Sequence, residues 1–104
     1  MKEEDYCSKD TSELLIEKGY GFPRLHLGAE HYDVVHLWIA QKWLREKYNI
    51  VVCPNPYFYK WDYTIYDLNK IEREGFHKIL GSRVAWETYE QALDAGIYEA
   101  LELI

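Results

Sequence analysis

The most regular hydrophobic pattern lies at the C-terminus, where apolar positions recur every three or four residues. These positions are Tyr89, Ala92, Leu93, Gly96, Ile97, Ala100, Leu101 and Ile104. Thr88 and Gln91 precede them at the Thr-x-x-Gln spacing of a capping box. The pattern predicts an amphipathic helix over residues 89–103. Gly96 lies on its apolar face, which predicts a close approach to a sheet beneath.

A second helix is predicted over residues 34–48, with Asp33 as its N-cap and Asn49 at its left-handed exit. One broad apolar face is accompanied by a second apolar stripe, almost opposite, formed by Val35, Ile39 and Trp43. A helix on the surface needs only one such face. Either two layers of the protein enclose this helix, which is the simpler interpretation, or the stripe is an interface with a partner.

Strict alternation over residues 57–66, filled with aromatic and β-branched types, predicts a strand. The β-branched run 50–53 predicts its antiparallel partner, with Pro54-Asn55-Pro56 as the connection. A short strand is predicted within residues 24–29. Residues 67–83 have no clear period and are interpreted as a loop with one helical turn, or as a poor strand over 76–80.

A first short helix is predicted from the N-cap Ser8 to about residue 18, ended by Gly19. Residues 1–7 are expected to be frayed. The elements together predict a single α+β domain over residues 1–104, in which three helices pack with a small antiparallel sheet of two to four strands.

Charge and composition narrow the classes of function. The net charge of −6 opposes binding to DNA and to anionic membranes, so neither partner is expected. No leader-like segment and no membrane-spanning run occurs, which favours a cytoplasmic protein with free thiols at Cys7 and Cys53. Aromatic residues make up 16% of the chain, a surplus that suits a core first and an interface second.

Candidate chemistry is sparse. Glu30, His31 and His36 would have to converge in space to bind a metal, and the five-residue spacing of the two histidines places them on different faces of any helix. No phosphate-binding or nucleophile motif occurs. The sequence therefore predicts no catalytic residue, no metal and no cofactor.

Several segments resemble a family of small uncharacterised proteins encoded by gut anaerobic bacteria and by their phages and prophages. The segments are LLIEKGY (14–20), KWLREKYNI (42–50), WDYTIYD (61–67), TYEQALDAGI (88–97) and EALELI (99–104). The family has no known activity, so the resemblance implies only an intracellular accessory protein of mobile-element origin.

Three functions are compatible with these observations. The first is a non-enzymatic protein-interaction module, a homodimer or bound to another protein, with Val35, Ile39 and Trp43 as the candidate interface. The second is an acidic inhibitor that mimics nucleic acid in the groove of a host enzyme. The third, a small enzyme, would need a deep polar pocket that gathers His31, His36 and an acidic residue.

Overall fold

The computed structural model describes residues 5–21, 25–27, 32–72, 75–81 and 84–104 of the 104-residue chain. Within these ranges the chain forms three helices and two antiparallel sheets, which confirms the predicted α+β class. The elements follow one another as α1 (Lys9–Glu17), β1 (Leu25–Leu27), β2 (Tyr32–Val34), α2 (Leu37–Tyr48), β3 (Ile50–Tyr57), β4 (Lys60–Glu72), β5 (Gly75–Gly81) and α3 (Tyr89–Glu102).

The larger sheet has the strand order β3-β4-β5, and α3 packs on one of its faces. Val52 and Ile65 lie opposite each other in the β3–β4 register and are fully buried on this face. Gly96 brings α3 close to it, since a β-carbon added there would lie 2.5 Å from Cγ1 of Val52. The close approach predicted for Gly96 is therefore confirmed.

The capping of α3 is also confirmed. The backbone N–H of Gln91 donates to Oγ1 of Thr88 at 3.1 Å. The reciprocal bond runs from the backbone N–H of Glu87, one residue earlier than a standard capping box, to Oε1 of Gln91 at 3.1 Å. Two backbone N–H groups at the start of α3, those of Glu87 and Gln91, are thus bonded by side chains.

The prediction that Pro54-Asn55-Pro56 connects two strands is wrong, because all three residues lie within β3. The N–H of Leu68 donates to the carbonyl of Asn49, so alternate residues of β3, starting from Asn49, point their backbone groups towards β4. Pro54 and Pro56 belong to the other set, which faces the free edge. Proline has no N–H to offer, and the free edge is the position where a strand tolerates it.

Helix α2 begins at Leu37, three residues later than predicted, and its N-cap is His36 rather than Asp33. Val34 is the last residue of β2, where it pairs with Leu25 of β1. A β-branched residue fits this extended pairing better than the first turn of a helix. The end at Asn49 agrees with the prediction, since its φ of 56° is left-handed.

The interpretation of residues 67–83 as a loop is wrong for most of the segment. Strand β4 continues to Glu72 and β5 returns antiparallel from Gly75 to Gly81, which agrees with the alternative of a strand over 76–80. Register shifts interrupt the pairing between Ile65 and Tyr66 and between Asp67 and Ile71. A bulge inserts an unpaired residue, so the period of two is lost in the sequence.

Helix α1 and the residues before it complete the core. Ser8 caps α1 as predicted, and its side chain accepts from the N–H of Thr11. The prediction of fraying over residues 1–7 is wrong for Tyr6 and Cys7, which are both buried, and residues 1–4 lie outside the described residues. The N–H of Cys7 donates to the carbonyl of Val35 at 2.8 Å. That backbone bond fixes the segment before α1 against the one before α2.

Candidate interaction surface

The β3–β4 hairpin ends in three consecutive aromatic residues. Tyr57 pairs with Lys60, and Phe58 and Tyr59 form the two-residue loop between them. The exposed fractions are 53% for Tyr57, 86% for Phe58 and 100% for Tyr59. These three residues are called the aromatic tip below. Isolated exposed aromatics are common on protein surfaces, whereas three in a row at the end of a hairpin form a continuous apolar patch.

The backbone of the aromatic tip is unusual for its sequence. Phe58 has a φ of 56° and is the first loop residue, the position that a type II′ turn normally fills with glycine. A side chain with a β-carbon in the left-handed region costs about 1–2 kcal/mol relative to glycine. The chain therefore holds an exposed phenylalanine at a position where glycine would avoid the steric cost of a positive φ.

Aromatic contacts connect the loop end of the hairpin, next to the aromatic tip, to the start of α3. The ring of Trp61 meets Tyr89 edge-on at 5.3 Å, and Tyr63 lies 5.3 Å from Trp86. The backbones of Trp61 and Trp86 exchange two hydrogen bonds, of 2.8 and 2.7 Å. Lys60 adds an exposed ion pair with Glu87 at 3.2 Å. These contacts fix the direction in which the hairpin projects from the domain.

The second apolar stripe of α2 is largely accounted for within the chain. Val35, which precedes the helix, is fully buried, Trp43 is 6% exposed, and Ile39 is half-buried against the core. Tyr20 and Tyr48 cover the Trp43 indole with edge-on contacts at 5.8 and 5.5 Å. The candidate interface is therefore corrected, because two of its three residues are core residues. Tyr20 packs on Trp43, whereas the backbone of Val35 is bonded by the N–H of Cys7 and by the side chain of Ser12.

The two lysines of α2 have side-chain contacts within the helix. Lys47 places its Nζ 5.3 Å from the centre of the Trp43 ring, a cation–π contact. Lys42 lies 3.8 Å from Glu46. A stacking platform for nucleic-acid bases needs exposed rings beside free cations. Since Trp43 is buried, its ring is not available as such a platform.

The histidine candidates are placed only in part. Glu30 and His31 lie outside the described residues. His36 precedes α2, with its ring 4.8 Å from Tyr6 and 5.5 Å from Trp38. Among the residues that the structure describes, no group of three or more His, Cys, Asp or Glu side chains could hold a metal ion.

The two thiols are free and poorly suited to nucleophilic chemistry. Burial, and secondarily the charge of Asp94, raises the pKa of Cys7 far above its ordinary value. Burial also raises the pKa of the half-buried Cys53. A thiolate is the reactive form, so both environments keep sulfur in the unreactive one.

A shallow groove of about 410 Å³ lies where the N-terminus of α1 meets α3 and the inner face of β4. Its lining combines three aromatic residues with acidic ones. The aromatic residues are Tyr63, Trp86 and Tyr98, and the acidic ones are Asp10, Asp94, Glu99 and Glu102. No local pattern in the sequence predicts either this groove or the aromatic tip. The tip falls inside the alternating run 57–66, where a strand and its turn have the same appearance.

The chain matches no protein-family model, no curated protein and no solved structure. The resemblance to small proteins of gut anaerobes and their phages therefore stays a prediction. In the described ranges, no helix is both long enough and apolar enough to cross a membrane.

Proposed function

We propose that this protein is a non-enzymatic interaction module that docks on a partner protein through the aromatic tip. The observation that carries the proposal is the exposure of Tyr57, Phe58 and Tyr59 at the end of one hairpin. Exposed aromatic side chains bury much area in a complex and lose little rotamer freedom, which is why interfaces are enriched in them.

The backbone of the tip supports the same proposal. Phe58 occupies a left-handed position that disfavours any residue with a β-carbon. Unfavourable local geometry of this kind tends to persist where the side chain has a role outside folding. The contacts of Trp61 with Tyr89 hold the hairpin in place, so that little order would have to be gained on binding.

A photo-crosslinking experiment tests the proposal. Benzoylphenylalanine is introduced at Phe58, and in a matched control at Trp38, an exposed aromatic residue at the start of α2. Irradiation in cells should give a defined adduct from position 58 and none from position 38. Replacement of Tyr57 and Tyr59 by serine should abolish the adduct. Equal adducts from both positions, or none from position 58, would refute docking through the tip.

The same experiment separates the forms that the partner could take. An adduct at twice the 12.5 kDa chain mass would identify a second copy, and sedimentation velocity would then show a dimer that the serine variant lacks. An acidic inhibitor of a nucleic-acid enzyme, the alternative suggested by the net charge of −6, requires instead a basic partner whose capture falls steeply with salt. We place the protein in the cytoplasm, where its two free thiols would stay reduced.

A further inference from the structure

The groove between α1, β4 and α3 has a fixed aromatic wall. Tyr63 and Trp86 form it, with their rings 5.3 Å apart and tilted by 38°. Trp86 is held in place by its two backbone hydrogen bonds to Trp61, and Tyr63 is held by its burial. Tyr98 of α3 adds a third, partly exposed ring. Faces of such rings attract cations and also pack against alkyl chains.

The groove is also strongly acidic. Asp94 is already used, since its Oδ1 accepts the N–H of Ser8 at 2.7 Å. Asp10, Glu99 and Glu102 differ: within the described residues no basic group lies within 4 Å of their carboxylates. Burial raises the pKa of the Tyr63 phenol, and the charges of Glu99 and Glu102 raise it further. The wall of the groove therefore lies in a negative field.

We propose that this groove binds a lysine- or arginine-bearing segment of a partner protein. The cationic head would lie against the carboxylates of Glu99 and Glu102, and its alkyl stem would lie along the rings of Trp86 and Tyr98, which are more exposed than the buried Tyr63. Arginine offers a planar fork that both stacks on rings and pairs with carboxylates. Complementary charge and ring chemistry thus select the same kind of side chain.

The shape of the groove favours a tethered cation over a free small amine. Asp10, Glu102 and Tyr98 are exposed, so a ligand in the groove would stay open to water on one side. Free small ligands are usually bound in sites that enclose most of their surface. A side chain attached to a partner backbone gains further contacts outside the groove. This surface is distinct from the aromatic tip, and the proposal does not depend on docking there.

Fluorescence anisotropy with a labelled peptide of alternating glycine and arginine tests the proposal. The matched ligand is the same peptide with citrulline, which keeps the shape and removes the charge. The double variant E99Q/E102Q should bind the arginine peptide at least about fivefold more weakly. The control E17Q/E46Q removes the same charge at exposed positions outside this groove and should change the affinity less than about twofold.

A second variant keeps the test decisive if E99Q/E102Q folds poorly, as circular dichroism would show. Asp10→Asn, on a different helix, should weaken binding about twofold or more. A variant with serine at Tyr57, Phe58 and Tyr59 should bind the peptide like wild type, so failure of the tip and failure of the groove can be told apart. Equal affinity for the citrulline peptide, or equal losses in the two double variants, would overturn the proposal.

Discussion

Gly96 of α3 and Val52 of β3 lie so close that a β-carbon on the glycine would stand 2.5 Å from Cγ1 of the valine. Two carbons of the Tyr63 ring would lie 3.0 Å away. Val52 is fully buried and its short branched side chain has few other rotamers. The helix can therefore rest on the sheet only if this position has no side chain.

Substitution of Gly96 by alanine should destabilise the protein. Alanine improves helix propensity by about 1 kcal/mol, whereas overpacking of a buried contact costs about 1–3 kcal/mol. We expect a net loss of about 1 kcal/mol in the free energy of unfolding, measured by urea denaturation. Gly21→Ala is the matched control, because a β-carbon there meets nothing within 4 Å. A G96A variant as stable as wild type would mean that the helix shifts without cost.

Substitution of Phe58 by glycine should stabilise the protein, because glycine adopts positive φ without steric cost. We expect a gain of about 0.5–1 kcal/mol, less than the full left-handed penalty since glycine also loses more freedom on folding. The readout is the thermal midpoint. Tyr59→Gly is the control and should give no gain, since Tyr59 is not among the residues with positive φ. A less stable F58G protein would show that the ring supports the turn itself.

Removal of the Thr88 hydroxyl should destabilise the protein through loss of the N-cap of α3. Thr88→Ala loses the bond to the N–H of Gln91 and should lower the free energy of unfolding by about 1 kcal/mol. Thr88→Ser keeps an oxygen that can accept the same bond and should stay close to wild type. The comparison by urea denaturation separates the cap from general effects at this position. Equal losses in the two variants would contradict the assignment.

Stability should fall as the pH rises above about 9, the ordinary value for a thiol. The raised pKa of Cys7 means that the folded state keeps its proton where the unfolded state releases it, so alkaline pH favours unfolding. The stabilisation is fully present below pH 9 and its loss amounts to at most about 1.4 kcal/mol per pH unit. Cys7→Ala should flatten the curve between pH 9 and 10.5. Cys53→Ala should flatten it less, because Cys53 is half-buried. Identical slopes in wild type and C7A would argue against the burial effect.

Local sequence signals predicted α1 and α3 because their determinants are local. Thr88, Gln91 and the three-and-four spacing that follows lie within a few turns of one another, and Ser8 caps α1 by the same short-range rule. The prediction of where α2 starts was wrong because Val34 pairs as a strand residue with Leu25, nine residues earlier. Pairing between distant residues overrides the helical period at that boundary.

The hairpin and its tip show a second limit. Pro54 breaks a strand if its nitrogen must bond to a neighbour, and is harmless if its nitrogen faces a free edge. Whether the proline nitrogen faces β4 or the free edge depends on the register between β3 and β4, and the sequence alone does not give that register. Tyr57 and Tyr59 fit an alternating strand as well as a turn, so exposure at the tip could not be foreseen. The groove required α1, β4 and α3 to meet, which no local pattern encodes.

The two prolines of β3 affect the tendency of the protein to aggregate at high concentration. An edge strand with exposed aromatic side chains is prone to pair with the same strand of other copies, which leads to fibres. Pro54 and Pro56 have no backbone N–H, so a second chain could not form a hydrogen bond to a backbone N–H at these two positions of the β3 edge. Strand β3 therefore offers its aromatic side chains for contacts, while its outer edge lacks two of the N–H groups that pairing with another strand would use.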